Sequence, residues 1–301
     1  MNVRTYVGVV ALLATTCGPA AHARSTDDDA RRAELLGLSS RLKYQTGQIQ
    51  LRDGLATINL TDSFRYLDPA GAETLLTGIW GNPPSHEKQL GVIVPADFDP
   101  FDAHAWCVVV EFEEDGYIKD DDAETINYGD LLKQMQEAAR EASKARVQDG
   151  YPSIELVGWA ATPRYDHQTH KFYWAKEIRF GDGKRENTLN YNLRILGRRG
   201  VLVLNAVSGM SQLQRIERAT PEILAMVDFG AGNRYTDYTP GVDRVATYGL
   251  AALVAGGIAA KTGLVKALLV ALLALKKFVV IAFIAVAGFV KKFFNRKAVG
   301  T

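Results

Sequence analysis

The chain has 301 residues, 47% of them hydrophobic and 23% charged, a balance that excludes intrinsic disorder and fits a globular protein. Its net charge of +1 hides three unlike regions: both ends are purely basic, and removing their nine positive charges leaves about −8 on residues 24–245. The acidic centre argues against nucleic acid as a partner, while a basic end suits anionic lipid.

Residues 1–23 read as a signal peptide. Arg4 makes a basic n-region, Tyr6–Thr16 is an apolar stretch too short to span a bilayer, and Ala21-His22-Ala23 is a small-x-small cleavage site. Cys17 has a poor lipoprotein context. Cleavage would leave Cys107 as the only cysteine, so the mature chain would hold no internal disulfide. A domain of this size can fold without one.

Residues 24–229 carry the soluble domain. A charged segment, helical or disordered, runs over 24–43. Alternation on both sides of Asp53-Gly54, over Gly47–Leu60, predicts a tight hairpin. Asp68-Pro69 starts a short helix ending near Gly81, and Pro83-Pro84 closes it. Leu90–Pro95 and Trp106–Phe112 read as strands, and Tyr117–Lys119 as a strand fragment. The helical spacing is clearest over Leu131–Arg146, with Asn127 able to cap it. Strands follow at Ile154–Ala160, Lys171–Phe180, Leu189–Leu196 and Val201–Ala206, with Pro163 in the first connection. A last helix spans about Ser211–Val227. This order predicts an α+β fold with a largely antiparallel sheet and helices packed on one side.

Residues 230–247 form a Gly/Tyr-rich connector in which Tyr235, Tyr238 and Tyr248 suit a membrane interface. Residues 248–292 form a hydrophobic tail and 293–301 a basic C-terminus. No single apolar run reaches the ~20 residues of a spanning helix, but the runs joined across their lysines are ample. One span over 264–290 is the first reading. It places Lys266, Lys276 and Lys277 toward an interface, and Lys291 and Lys292 inside. A long interfacial helix or a hairpin is the second. The first reading puts the domain outside the cytoplasm, anchored in the inner membrane.

The stretches FEEDGYIKDDDAETINYGDLLKQMQ (Phe112–Gln136), GYPSIELVGWAATPRYDHQTHKFYWAKEI (Gly150–Ile178) and GNRYTDYTPGVDRVATYGLAALVAGGIAAK (Gly232–Lys261) resemble a bacterial family, domain of unknown function 2167. The resemblance covers nearly all of the mature chain. It implies an envelope location and membrane anchoring, and it carries over no catalytic residue and no cofactor.

Chemistry-bearing constellations are sparse. Ser208 lacks the first glycine of a nucleophile elbow, and Cys107 lies in an apolar strand out of phase with His104. The acids from Glu111 to Glu124, Asp120 among them, lack the ligand pattern of a calcium loop and read as a solvated edge. Gly181-Asp182-Gly183 reads as a hairpin turn, not a phosphate loop. His167 and His170 are candidate zinc ligands on a hairpin loop, where a polar turn is the plainer reading. Trp159, Arg164, Tyr165, Tyr173 and Trp174 cluster around the same hairpin; Phe172 and Trp174 share one strand face and Tyr173 takes the other, so one face is core and the other is a candidate ligand-binding face.

These features predict a non-enzymatic, membrane-anchored envelope protein that binds a ligand or partner at the membrane surface, in envelope maintenance or stress. Its partners would be lipid and a membrane protein or envelope ligand. The alternatives are a metal-dependent or hydrolytic enzyme using His167 and His170, and an accessory subunit of a transporter or channel.

Overall fold

A computed structural model describes residues 24–256, apart from 83–88, 103, 149, 182, 184 and 185. The chain divides after Gly249 into two units.

The first unit opens with helix α1 (Arg24–Ser39), then a hairpin of β1 (Gln48–Leu51) and β2 (Ala56–Asn59). Leu51 pairs with Ala56, so the turn holds four residues rather than two. Arg52, Asp53 and Gly54 all take positive φ there. Asp68 caps helix α2 (Pro69–Glu73) by accepting the Gly71 amide at 2.8 Å. The helix widens to a π turn over Thr74–Ile79 and ends before Gly81, whose φ is 70°.

The large sheet has seven antiparallel strands in the order β3-β4-β5-β9-β8-β7-β6. These are β3 (Phe64–Leu67), β4 (Gly91–Pro95), β5 (Val108–Glu113), β6 (Ile154–Asp166), β7 (Lys171–Phe180), β8 (Thr188–Leu196) and β9 (Val201–Gly209). A three-stranded sheet, β1-β2-β10, is completed by β10 (Val227–Phe229). Tyr117–Lys119 forms no strand. Tyr117 makes a single bridge to Val245.

Pro163 does not end β6. It sits inside the strand where the register against β7 shifts, between Ala161 and Arg164. An edge strand with a bulge tolerates a residue that cannot donate to the ladder. Helix α3 (Tyr128–Gln148) runs along β6, and its side chains meet that strand's main chain. Ser143 Oγ accepts the Ile154 amide at 2.8 Å, and Gln136 donates to the Val157 carbonyl at 3.0 Å. The longest edge of the sheet is thereby covered.

The helices do not lie on one side. Leu67, Val92, Val94 and Cys107 pack on Ala72, Leu75 and Leu76 of the α2 segment. The alternate residues, Tyr66, Ile93, Val108 and Val110, face the other way. They join a larger core with the small sheet and helix α4 (Leu213–Met226), through Ile216, Ile223 and Met226. Period-two alternation makes both faces apolar at the β3–β5 end, so each needs a cover. Pro221 is accommodated within α4, and Thr220 Oγ1 donates back to the Ile216 carbonyl. Lys171 Nζ donates to the Leu224 and Val227 carbonyls and pairs with Asp228 at 2.8 Å, closing the C-terminal end of α4.

In the second unit, helix α5 (Leu250–Ala255) is the described element. Among the described residues no helix is long and apolar enough to cross a membrane. The expected signal peptide and most of the expected tail, with Lys266, Lys276, Lys277, Lys291 and Lys292, lie outside the described residues.

Candidate functional site

Three stretches distant in sequence meet at one end of the large sheet: the loop after β5, the β6–β7 turn, and residues 230–248. The β6–β7 turn is held by Asp166, which accepts the Gln168 amide at 2.8 Å and the Thr169 hydroxyl at 2.7 Å. Those bonds, the hydroxyl's first, hold the Asp166 carboxyl below its ordinary value. His170 re-enters the ladder at φ 53°, a left-handed position unusual for a side chain of its size.

The loop after β5 is pressed against residues 244–246. Tyr117 N–H donates to the Arg244 carbonyl and Ala246 N–H to the Tyr117 carbonyl, each at 2.8 Å. Gly116 permits this approach. Its φ is 98°, and a Cβ there would sit 2.7 Å from the Arg244 oxygen.

Asp120 lies at the centre. Its Oδ2 accepts the Tyr165 hydroxyl at 2.7 Å and its Oδ1 the Tyr235 hydroxyl at 2.9 Å. The Tyr165 hydrogen points to Asp120, so its oxygen can take the 3.1 Å contact with His170 Nδ1 only as an acceptor. His170 Nδ1 and His167 Nδ1 each lie 3.6 Å from Asp120 Oδ2, and His167 Nε2 lies 2.9 Å from Glu124 Oε1. Burial alone would raise the Asp120 carboxyl, but the hydroxyls of Tyr165 and Tyr235 outweigh it and hold the group below its ordinary value. Both phenols are pushed up, first by burial, and then by hydrogen bonding, to Asp120 for Tyr165 and to Tyr117 and Asp120 for Tyr235.

Rings close the assembly. His170 lies 4.1 Å from Tyr235, Tyr235 stacks on Tyr117 at 4.4 Å, and Tyr117 stacks on Tyr238 at 3.8 Å. Tyr248 donates to Asp115, and Arg198 pairs with Asp243 at 2.8 Å. Residues 230–249 therefore belong to the first unit. Tyr235 is 7% exposed, packed in protein.

The five hairpin residues do not share one face. Trp174 is 1% exposed and packs with Phe172, so it is core. The Trp159 indole donates to the Tyr128 carbonyl at 3.1 Å and fixes the start of α3. Tyr165 is spent on Asp120. Arg164, exposed, and Tyr173, half-buried, are direct partners across the ladder on the opposite face. Near them lies an open depression of about 300 Å³ lined by Gln214, Glu217 and Arg218 of α4. Tyr173 packs against the same core cluster as Ile216 and Ile223 of α4, the helix that lines the depression.

His167 and His170 do converge on Asp120, yet among the described residues no group of three or more His, Cys, Asp or Glu is placed to hold a metal ion. Asp115 and Asp120, read in sequence as a solvated edge, accept tyrosine hydroxyls instead. The sequence marked Asp120 only as part of an acidic edge and Tyr235 only as an interface residue, not as partners, because the contacts here run 45 to 117 residues along the chain.

The family model for a protein of unknown function (DUF2167) matches residues 43–287, and the chain belongs to that family. No curated protein matches it. Among solved structures, the solution structure of cyanobacterial PsbP (CyanoP) from Synechocystis sp. PCC 6803 is 11% identical, with a TM-score of 0.34, over 60% of this chain and 91% of that one. The Ran-binding protein Mog1p of Saccharomyces cerevisiae is 11% identical, with a TM-score of 0.32, over 66% of this chain and 100% of that one. At such TM-scores neither likeness carries an argument.

Proposed function

We propose, with membership of the DUF2167 family as the premise, that this is an exported envelope protein held at a membrane by its C-terminal segment, whose α+β domain binds a protein partner rather than turning over a substrate. The observation that carries the reading is the division of labour around the β6–β7 hairpin. The groups able to do acid–base chemistry, Asp120, Tyr165, His167 and His170, are tied to one another and stitch residues 230–248 to the domain. Arg164 and Tyr173 stand on the other face, beside an open depression. A shallow, open surface with Arg and Tyr at its edge suits a protein interface better than a small ligand, which needs enclosure. Export and anchoring rest on residues 1–23 and on the apolar, basic stretch after 248.

The test is co-purification of the full chain from membranes in mild detergent. A stoichiometric protein partner is expected, and Arg164→Glu with Tyr173→Ala should release it while leaving the fold intact. A partner retained by the double variant would contradict the assigned face. A protein that stays alone and turns over a substrate would contradict the binding reading.

A further inference from the structure

The tyrosines of the stretch 230–248 turn inward. Tyr235 is buried, Tyr238 stacks on Tyr117, and Tyr248 donates to Asp115. The large apolar side chains that turn outward there are Val242 and Val245, 75% and 37% exposed. Val242 is the most exposed large hydrophobic among the described residues.

Val242 does not ride on a loose loop. Its amide donates to the Thr239 carbonyl at 3.2 Å, and the Asp243 amide donates to the same oxygen at 3.0 Å. Asp243 Oδ2 accepts the Thr239 amide at 2.6 Å and pairs with Arg198 at 2.8 Å. Gly241, at a φ of 78°, lets the turn close. Two exposed cations stand beside it. Arg244 follows Asp243 in the chain, and Arg199 acts on Asp243 from nearby. Their guanidiniums donate to neutral acceptors, the Glu114 carbonyl for Arg244 and Asn233 Oδ1, at 2.8 Å, for Arg199.

The end of the first unit has no slack. Beyond the Tyr248 bond, a Cβ on Gly249 would sit 2.8 Å from the Asp122 carboxylate. Leu250 follows directly, and from there to Val290 the only polar side chains are Thr262 and lysines 261, 266, 276 and 277. No free linker therefore separates the folded domain from the apolar stretch. Val242 stands seven positions before Gly249. That length of chain spans at most about 25 Å, so a bilayer that takes up residues 250–290 lies within that reach of the turn.

A membrane interface suits both kinds of side chain found here. Apolar tips enter the boundary between headgroups and acyl chains, while guanidiniums on long stems stay among the phosphates. A braced turn makes that contact without an ordering cost. We propose that residues 239–245, with Val242 foremost, form a membrane-contact surface that enters the interfacial layer of a phospholipid bilayer. Anchoring by the C-terminal segment is the premise, and the face that the domain lays on the bilayer is what is added.

The experiment uses the full chain, carrying Cys17→Ser, in phosphatidylcholine nanodiscs. Single cysteines Val242→Cys, Val245→Cys and, as the solvent control, Glu137→Cys on exposed α3 each carry an environment-sensitive fluorophore. Cys107 is buried, out of the label's reach. Phosphatidylcholine brominated along its acyl chains is the quencher. The label at 242 should shift its emission to the blue and lose about half its intensity or more to the brominated lipid, while the label at 137 does neither. Quenching at 245 supports the same placement should the fluorophore at 242 disturb the turn. Labels at 242 and 245 as unquenched as the one at 137, on a chain that stays with the nanodisc, overturn the contact and leave the anchoring standing. A blue shift without quenching puts protein rather than lipid on the turn and overturns it equally. A chain that does not stay with the nanodisc overturns the anchoring, and the contact with it.

Discussion

Asp120 accepts hydrogen bonds from tyrosine hydroxyls 45 and 115 residues away, and this one carboxylate joins the β6–β7 hairpin to the last described stretch of the first unit. Removing it takes a charged acceptor from two phenols, of which Tyr235 keeps the Ile118 carbonyl at 2.9 Å and Tyr165 keeps His170 Nδ1 at 3.1 Å. A hydrogen bond to a charged group is worth about 1.5–3 kcal/mol, so Asp120→Ala should lower stability by about 2 kcal/mol, and Tyr235→Phe by about 1 kcal/mol. Urea unfolding of the purified protein checks both; a change below about 0.5 kcal/mol for the alanine would remove Asp120 from the centre of the assembly. The sign of the pH effect follows from the lowered carboxyl. An acid that holds its proton less tightly when folded stabilises the protein above its ordinary value, and that stability is lost as pH falls through the folded value. Wild type should therefore lose stability relative to Asp120→Asn on acidification below about pH 4. Nothing in the local sequence marks Asp120 among its acidic neighbours, since partner identity is a tertiary fact. His167 and His170 were legible as a pair, but not their use.

Local chemistry made most elements readable. Asn127 accepts the Gly129 and Asp130 amides, at 3.0 and 3.1 Å, and starts α3 where its capping position implied. Strand β7 runs over Lys171–Phe180 as its apolar pattern indicated. Strands β3 and β10 were missed because four and three residues are too few to display alternation. Pro163 misled for another reason: a proline reads as a stop, and only the edge position and the register shift make it tolerable. Residues 230–247 read as a Gly/Tyr-rich connector, and composition alone did not show that Tyr235 and Tyr238 stack on Tyr117 or that Tyr248 donates to Asp115. A chain ending after Gly249 should consequently unfold cooperatively, and one ending after Phe229 should not. The shorter chain loses the Asp120–Tyr235 bond, the Tyr117 stack and the Arg198–Asp243 pair together. Urea curves of the two truncations decide it: equal midpoints would return residues 230–249 to the role of a tether.

At the scale of the molecule, the fold class was legible from the order of elements, while the distribution of helices was not. Alternation shows that a strand has two faces, but not which helix reaches which face. Here α2 and α4 end on opposite sides of one sheet because both faces of β3–β5 are apolar. The candidate site followed the same rule. Alternation already put Trp174 and Tyr173 on opposite faces of β7, and the register between β6 and β7 adds Arg164 as the partner of Tyr173. We propose that this pair meets a protein partner outside the cytoplasm. The most direct measurement places a photo-reactive phenylalanine analogue at position 164 in intact cells, with position 137 on exposed α3 as the control. A discrete adduct with one envelope protein at 164, absent at 137, is the expected result. Adducts with cytoplasmic proteins, or the same adducts at both positions, would contradict it.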